Sequence, residues 1–477
     1  MMNTEHSEVL SFAVVGHPNE GKSSVVSTLT ERDDIRISST PGETEHAVEY
    51  TVELDHKPLL RFVDTPGFQV PRKTLKWLSK RPVDEDAQAI SDSFNRDFSG
   101  RSAFVHDGRI LQAVAETHGV LYVIDAGKPI GPDDFAEMEI LRRLGKTRMA
   151  IINSKGDDSE FEDQWRAALN RHFNAVRRFN AREAAFEERI RLLSALRLTG
   201  QHWEETLEGV ISALENDREG RFSRAADIIC SLIADCMSKT IKAPLKDGEK
   251  PEDVQLSMMP SYADWLRGRE ASAQKEIREE FRHRHFEMDL NNDDLMNHDL
   301  FARETWRVLG LNRKQLATVS ALAGAAAGAA MDLALGEITF GIFMAGGALL
   351  AGVSGLAGSR PLSQMKVRVA GINQQLGRRY IELGPPKGVQ MAFILVDRAL
   401  LYLDTVSRWA HAKREKAYPG KLLSTLPMTR QWSRKKQAAV SRFAVKLIKG
   451  KSTEQELDNL RIVLINVIKT VEESRDI

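Results

Sequence analysis

The sequence predicts an α/β domain with a mostly parallel sheet, followed by a mainly α-helical region that carries a hydrophobic helical hairpin. Three observations carry that expectation. Residues 12–23 read Phe-Ala-Val-Val-Gly-His-Pro-Asn-Glu-Gly-Lys-Ser, an apolar strand running into a glycine-rich turn. Short apolar runs at 12–16, 59–64, 119–125, 148–153 and 175–180 are separated by helical patterns, the rhythm of a parallel sheet covered by helices. The segment from Leu316 to Gly358 holds no charge except Asp332 and Glu337.

Gly16-x-x-x-x-Gly21-Lys22-Ser23 is a complete phosphate-binding loop. Its glycines let successive backbone N–H groups converge on a nucleotide's phosphates, Lys22 reaches the terminal phosphates, and the Ser23 hydroxyl is placed to ligate Mg²⁺. The run from Ser24 to Leu29 reads as a helix whose N-terminus faces the same phosphates. A turn that only resembles such a loop is the competing reading, and the strand before and helix after argue against it. Leu60 to Gly67 is a second apolar strand ending in Asp64-Thr65-Pro66-Gly67. In a nucleotide switch Asp64 sits beside the Mg²⁺ and the Gly67 N–H senses the γ-phosphate. Between these motifs, Thr44 falls where a switch loop supplies a hydroxyl to Mg²⁺.

Gly-His-Pro-Asn-Glu-Gly-Lys-Ser, Pro-Gly-Glu-Thr and Asp-Thr-Pro-Gly resemble the Era and TrmE branch of translation-factor-class P-loop GTPases, over roughly residues 10–215. The layout is similar to a bacterial group that couples such a GTPase to an Ala/Gly-rich hydrophobic segment and a helical C-terminal domain of unknown function. This resemblance implies GTP or GDP as ligand, Mg²⁺ as cofactor, and Asn19, Lys22, Thr44 and Gly67 in the catalytic centre. Asn19 matches the loop asparagine that holds K⁺ against the phosphates in several relatives; a plain turn residue is the other reading. Phe68 stands where many small GTPases carry a water-orienting glutamine, which implies slow hydrolysis unless K⁺, a partner or a dimer completes the site.

Base recognition departs from the family pattern. Asn153-Ser154-Lys155-Gly156-Asp157 stands where the guanine reader is Asn-Lys-x-Asp, so Asn153 keeps register while Lys155 and Asp157 each fall one position late. A one-residue bulge brings Asp157 to the base; alternatively Asp157 and Asp158 are solvated loop acids and specificity is relaxed. The last base-binding element is read at Ala181, whose N–H lies near the base. Ser194-Ala195-Leu196 competes, but it falls inside a helical pattern beginning near Glu183.

At 477 residues, 42% hydrophobic, the chain has material for several domains, expected at 1–215 (GTPase), 216–315 (helical), 316–358 (hairpin) and 359–477 (mainly helical). The 67 basic residues balance 67 acidic ones, so there is no overall nucleic-acid field and nucleic acid is not an expected partner. Cys230 and Cys236 read as buried thiols. With no signal-peptide pattern, the expected location is cytoplasmic, peripheral or re-entrant at the inner membrane.

The connection from Pro71 to Glu116 is long and carries Lys73, Lys76, Lys80 and Arg81 around Trp77. A switch element or partner surface and a solvated extra helix are equally open readings. Residues 216–310 read as helices, with Ala225 to Met237 in the core. Ala271 to His285 reads as a charged, solvated helix face rather than a metal site, and Asp289 to Asp294 as a linker or cap. Met365 to Ala370 and Tyr380 to Leu383 read as short strands, Val389 to Trp409 as an apolar helix. Basic runs follow at His411 to Lys416 and Arg430 to Lys436. The last helix opens on Thr453-x-x-Glu456 and carries Leu457, Leu460, Leu464, Val467 and Ile468 at helical spacing.

The hairpin divides at Met331 to Glu337 into two arms, with Gly324-x-x-x-Gly328 and Gly352, Gly355 and Gly358 making faces for close packing. At ~1.5 Å per residue the first arm spans only ~24 Å, short of a ~30 Å hydrocarbon core, whereas the second is long enough. Arg313 and Lys314 before it, and Arg360, Lys366 and Arg368 after it, keep both ends on the cytoplasmic side. A re-entrant or conditionally inserted hairpin fits these flanks; a buried helical core or oligomerisation hairpin is the alternative. Three functions remain open: a membrane-associated regulatory GTPase, a ribosome or RNA-assembly GTPase, and a scaffold or membrane-active protein that uses nucleotide structurally. Inner-membrane lipid, a second copy and an unidentified protein are the partners these readings imply.

Overall fold

The computed structural model describes residues 9–35, 46–153, 160–286, 373–375, 378–386, 388–413, 428–451 and 453–473. They divide into two units. The first comprises residues 1–219 with 282–285 and 408–415, the second 220–281, 286–407 and 416–477.

The first unit is built on a six-stranded sheet. Its strands are β1 (Ser11–Val15), β2 (Val48–Leu54), β3 (Lys57–Asp64), β4 (Gly119–Ile124), β5 (Thr147–Ile152) and β6 (Ala175–Arg178), in the order β2-β3-β1-β4-β5-β6. Every neighbouring pair is parallel except β2 with β3. Strand side chains alternate between faces, so Phe12 and Val14 join one buried cluster while Ala13 and Val15 join the other. Burial on both faces explains why the central strands read as unbroken apolar runs. The antiparallel β2 is an addition to the sequence reading: it lies at the sheet edge with mostly exposed or half-buried residues, and no apolar run marks it.

Helices α1 (Lys22–Thr30), α2 (Pro71–Leu78), α3 (Ala87–Asp97), α4 (Val105–Glu116), α5 (Pro132–Arg143), α6 (Glu162–His172) and α7 (Phe186–Arg197) flank the sheet. The connection between β3 and β4 is thus three α-helices. It is neither loose nor simply solvated. Phe98 and Phe104 stack with centroids 4.0 Å apart, Trp77 meets Phe94 edge-on, and the buried Asp107 accepts from the Gln69 N–H and the Thr74 hydroxyl. Ser194 to Leu196 lie inside α7, as their helical pattern indicates.

Helix α8 (Glu204–Ser238) begins in the first unit and ends in the second, where both cysteines are buried and their thiols are pushed up to about 12 by burial. Strand β7 (Ile241–Leu245) and α9 (Pro251–Glu280) follow, so residues 216–310 are not wholly helical. Strand β9 (Arg378–Leu383) pairs antiparallel with both β7 and β8 (Asn373–Gln375). The Arg398–Glu270 ion pair is buried between α9 and the helix Gln390–Ser407.

Two further readings change. Helix α9 ends at Glu280 and Arg282 takes a left-handed conformation, so Arg282 to His285 are not a helix face. His283 is buried with its ring stacked on His411 at 4.1 Å, and Asp33 accepts from the Arg284 and His285 N–H groups at 2.5 and 2.8 Å. In the final helix, Glu454–Glu473, Leu460, Leu464, Val467 and Ile468 are buried while Leu457 is exposed. The hairpin at 316–358, the run Asp289 to Asp294 and the Met365 to Ala370 strand lie outside the described residues. Among the described residues, no helix is long and apolar enough to cross a membrane.

Candidate functional site

Strand β1 delivers the chain into the glycine-rich turn, and Gly21, left-handed at φ 93°, caps the start of α1. Lys22 is buried in the first turn of that helix, its Nζ donating to the Gly16 carbonyl at 3.1 Å and the His17 carbonyl at 2.9 Å. Burial pulls its ammonium below the usual lysine range, against the opposing pull of Asp64, Glu137 and Glu20. Ser24, beside it, is also buried.

The end of β3 meets this turn. Ser23 Oγ donates to Asp64 Oδ2 at 2.7 Å, and Thr65 is tied to the Val14 carbonyl through its hydroxyl at 2.8 Å. Asp64 is 3% exposed, and its other oxygen, Oδ1, has no hydrogen-bond partner among the described residues. Burial raises the Asp64 carboxyl, opposed by the Ser23 hydrogen bond and the charge of Lys22. A buried carboxylate with one unsatisfied oxygen beside a serine hydroxyl fits Mg²⁺: the serine as direct ligand, the carboxylate taking a hydrogen bond from the ion's water. Gly67 is packed so tightly on the turn that a Cβ there would lie 2.5 Å from Pro18 Cδ, so any side chain would displace one motif from the other. Phe68, next along, is 1% exposed in the core beneath the sheet.

A second set of contacts converges on one residue. Asn153 follows β5, its Nδ2 donating to the Glu20 carbonyl at 2.9 Å and its Oδ1 accepting from the Ala181 N–H at 3.2 Å. Thr28 on α1 donates to the Ala181 carbonyl at 2.8 Å. The structure therefore brings Gly16, Asn19, Gly21, Lys22, Ser23, Ser24, Asp64 and Gly67 to one end of the sheet, with Asn153 and Ala181 joined to them. Thr44, Lys155 and Asp157 lie outside the described residues.

Several contributors were not singled out from sequence. Glu20, inside the turn, accepts from the Asp125 N–H at the end of β4. His17 Nδ1 lies 3.0 Å from Glu137 Oε1, and Tyr122 donates to Glu137 Oε2 at 3.0 Å. The one available signal was Glu137 itself, an acid flanked by Ala136 and Met138 and close to Ile140 and Leu141.

Residues 11–154 match the family described as a 50S ribosome-binding GTPase, and residues 166–462 the family described as a domain of unknown function, DUF3482. The chain belongs to the DUF3482 family. In front of that domain stands a P-loop GTPase domain related to Era, Der and MnmE. The tRNA modification GTPase MnmE of Oceanobacillus iheyensis is 24% identical over 211 residues, 43% of each chain. GTPase Der of Mycoplasmoides gallisepticum is 34% identical over 89 residues, 19% of each chain. GTPase Era of Ureaplasma parvum is 23% identical over 152 residues, 32% of this chain and 41% of its own. The DUF3482 protein thus spans less than half the length of these relatives. Among solved structures, Era in complex with MgGDPNP and a segment of 16S ribosomal RNA is 16% identical, with a TM-score of 0.28 over 58% of this chain and 91% of that one.

Proposed function

We propose that this protein binds GTP and GDP with Mg²⁺ and hydrolyses GTP slowly, as a nucleotide-dependent switch associated with the membrane through residues 316–358. The observation that carries the nucleotide reading is the Ser23–Asp64 contact of 2.7 Å beside a buried Lys22, with Asp64 Oδ1 left for the ion's water. Ser23 and Thr44 would hold Mg²⁺ with Asp64 behind them. The ion supplies charge neutralisation of the β- and γ-phosphates; Lys22 adds its ammonium, and the Gly67 N–H reports the γ-phosphate. The family relation and the register of Asn153 support guanine. Calorimetry of the full chain with GTP, GDP and ATP tests this, and Lys22→Ala should abolish binding. Equal or tighter ATP binding rejects the guanine assignment.

The membrane reading is supported by the charge-poor arms of the hairpin and their basic flanks. A second reading, ribosome or RNA assembly, is supported by the description of the family matched at residues 11–154 and by the RNA-linked name of the MnmE relative. Flotation with liposomes in each nucleotide state, beside co-sedimentation with ribosomes, separates the two. Cofractionation with liposomes in either state supports the first; pelleting only with ribosomes supports the second.

A further inference from the structure

Two carbonyl oxygens aim the Lys22 ammonium, those of Gly16 and His17, at 3.1 and 2.9 Å. Each must be fixed for Nζ to be held in place. The Gly16 peptide is fixed by β4: a Cβ there would lie 2.2 Å from the Val123 carbonyl oxygen, so the turn rests directly on that strand. The His17 carbonyl belongs to the peptide that leads into Pro18, on which Gly67 packs. Its side chain adds a second anchor, through the 3.0 Å contact of Nδ1 with Glu137 Oε1.

Glu137 is costly where it stands. Its side chain is 0% exposed on α5, between the buried Ala136 and Met138. A buried carboxyl is tolerated only when its oxygens are hydrogen-bonded, and an apolar residue of similar size would serve packing as well or better. Both oxygens are occupied: Oε1 by His17, and Oε2 by the hydroxyl of Tyr122, itself wholly buried on β4. The contact with Tyr122 fixes Glu137 to the same strand that carries Val123. One strand therefore supports both carbonyls, the first by direct contact and the second through the chain Tyr122–Glu137–His17.

We propose that Glu137 is a positioning residue of the phosphate site, acting through His17 to hold the carbonyl that aims Lys22 at the nucleotide. This deepens the nucleotide reading above and rests on it. Glu137 touches no nucleotide in this role; its effect passes through the His17 carbonyl. An uncharged isostere that keeps both hydrogen bonds should serve nearly as well, because the function is geometric.

The test is titration of the full chain with fluorescent mant-GTP and mant-GDP, with the melting temperature of each variant measured in parallel. Glu137→Leu and His17→Ala should each weaken binding about tenfold, the consequence of losing one well-placed charge-assisted hydrogen bond. The double variant should be no weaker than the worse single one, since both break the same chain. Glu137→Gln should recover most of the loss. A role confined to stability would lower the melting temperature and leave the Kd of the folded protein unchanged, which overturns the proposal. So do losses that simply add in the double variant. Should Glu137→Leu fail to fold, His17→Ala decides alone, because His17 is half-buried and belongs to neither apolar cluster of the sheet: an unchanged Kd overturns the proposal. If the wild type binds no mant-GTP, the nucleotide reading itself fails, an outcome distinct from wild-type binding with unaffected variants.

Discussion

The side-chain amide of Asn153 donates to the backbone carbonyl of Glu20 at 2.9 Å, joining the loop after β5 to the phosphate-binding turn. The same side chain accepts from the Ala181 N–H, so one residue is bonded both to that turn and to the segment after β6.

Asn153→Ala removes both hydrogen bonds and leaves the buried Ala181 N–H without its acceptor. A loss of about 1–3 kcal/mol in stability follows, with weaker binding of GTP and GDP alike. Thermal denaturation and calorimetry check it; an unchanged melting temperature means the two contacts contribute nothing.

Asn19 adopts a left-handed conformation, φ 69°, one that asparagine enters more readily than most residues. This is compatible with the K⁺ role and with a plain turn. Hydrolysis should be slow in Na⁺ and faster in K⁺, and Asn19→Ala should lose the K⁺ response while GDP still binds. Identical phosphate release in the two salts would point to a catalytic group brought by a partner.

Phe68 occupies the core rather than the mouth of the site, together with Leu78, Ile90 and Phe94. Phe68→Ala should therefore cost about 3–5 kcal/mol, as buried aromatic truncations do. Phe68→Gln should destabilise as well, with no gain in hydrolysis rate, because its amide would start from a position inside the core. A variant that hydrolyses GTP faster at unchanged stability would show that the segment turns outward when nucleotide binds.

How much of this was legible in the sequence depended on how local the determinants are. The turn from Gly16 to Ser23 and the central strands β1, β4 and β5 can be read because a phosphate loop is contiguous and strands buried on both faces are largely apolar runs. Strand β2 escapes because it is an edge with half-wet residues. Strand β7 escapes because Pro244 sits within it, and proline is admitted only where its missing N–H is not needed for pairing. The contacts of Asn153 with Glu20 and of His17 with Glu137 join positions 133 and 120 residues apart, and nothing in the sequence announces such pairs. His283 reads as solvated for the same reason: its stacking partner, His411, is remote in the chain.

Asp397 gives the second unit a pH dependence. The residue is 3% exposed, and burial pushes its carboxyl from 3.8 up to about 6, against hydrogen bonds from the Thr429 hydroxyl and N–H. Because the folded value lies above the unfolded one, the stabilisation is fully present below about pH 4 and is lost as pH rises through about 6, amounting to ~3 kcal/mol. Asp397→Asn removes this titration. Its melting temperature relative to wild type should climb by several degrees between pH 4 and 7, and parallel profiles would show that Asp397 does not titrate in that window.

The last prediction concerns residues 316–358, where the sequence alone carries the membrane reading. Gly347 and Leu350 fall on the longer of the two arms that the sequence predicts, the one with enough length to cross a hydrocarbon core. Replacing both by Asp places charge near the middle of that arm, at ~3 kcal/mol for each on insertion scales. The double variant should leave the liposome fraction while retaining GTP binding, since the GTPase domain has its own buried clusters on both faces of its sheet. The opposite result is equally clear. A wild type that stays out of the liposome fraction in both nucleotide states, with a double variant that unfolds or loses its oligomer, would make the segment an ordinary helical core. The switch would then have to act through another surface.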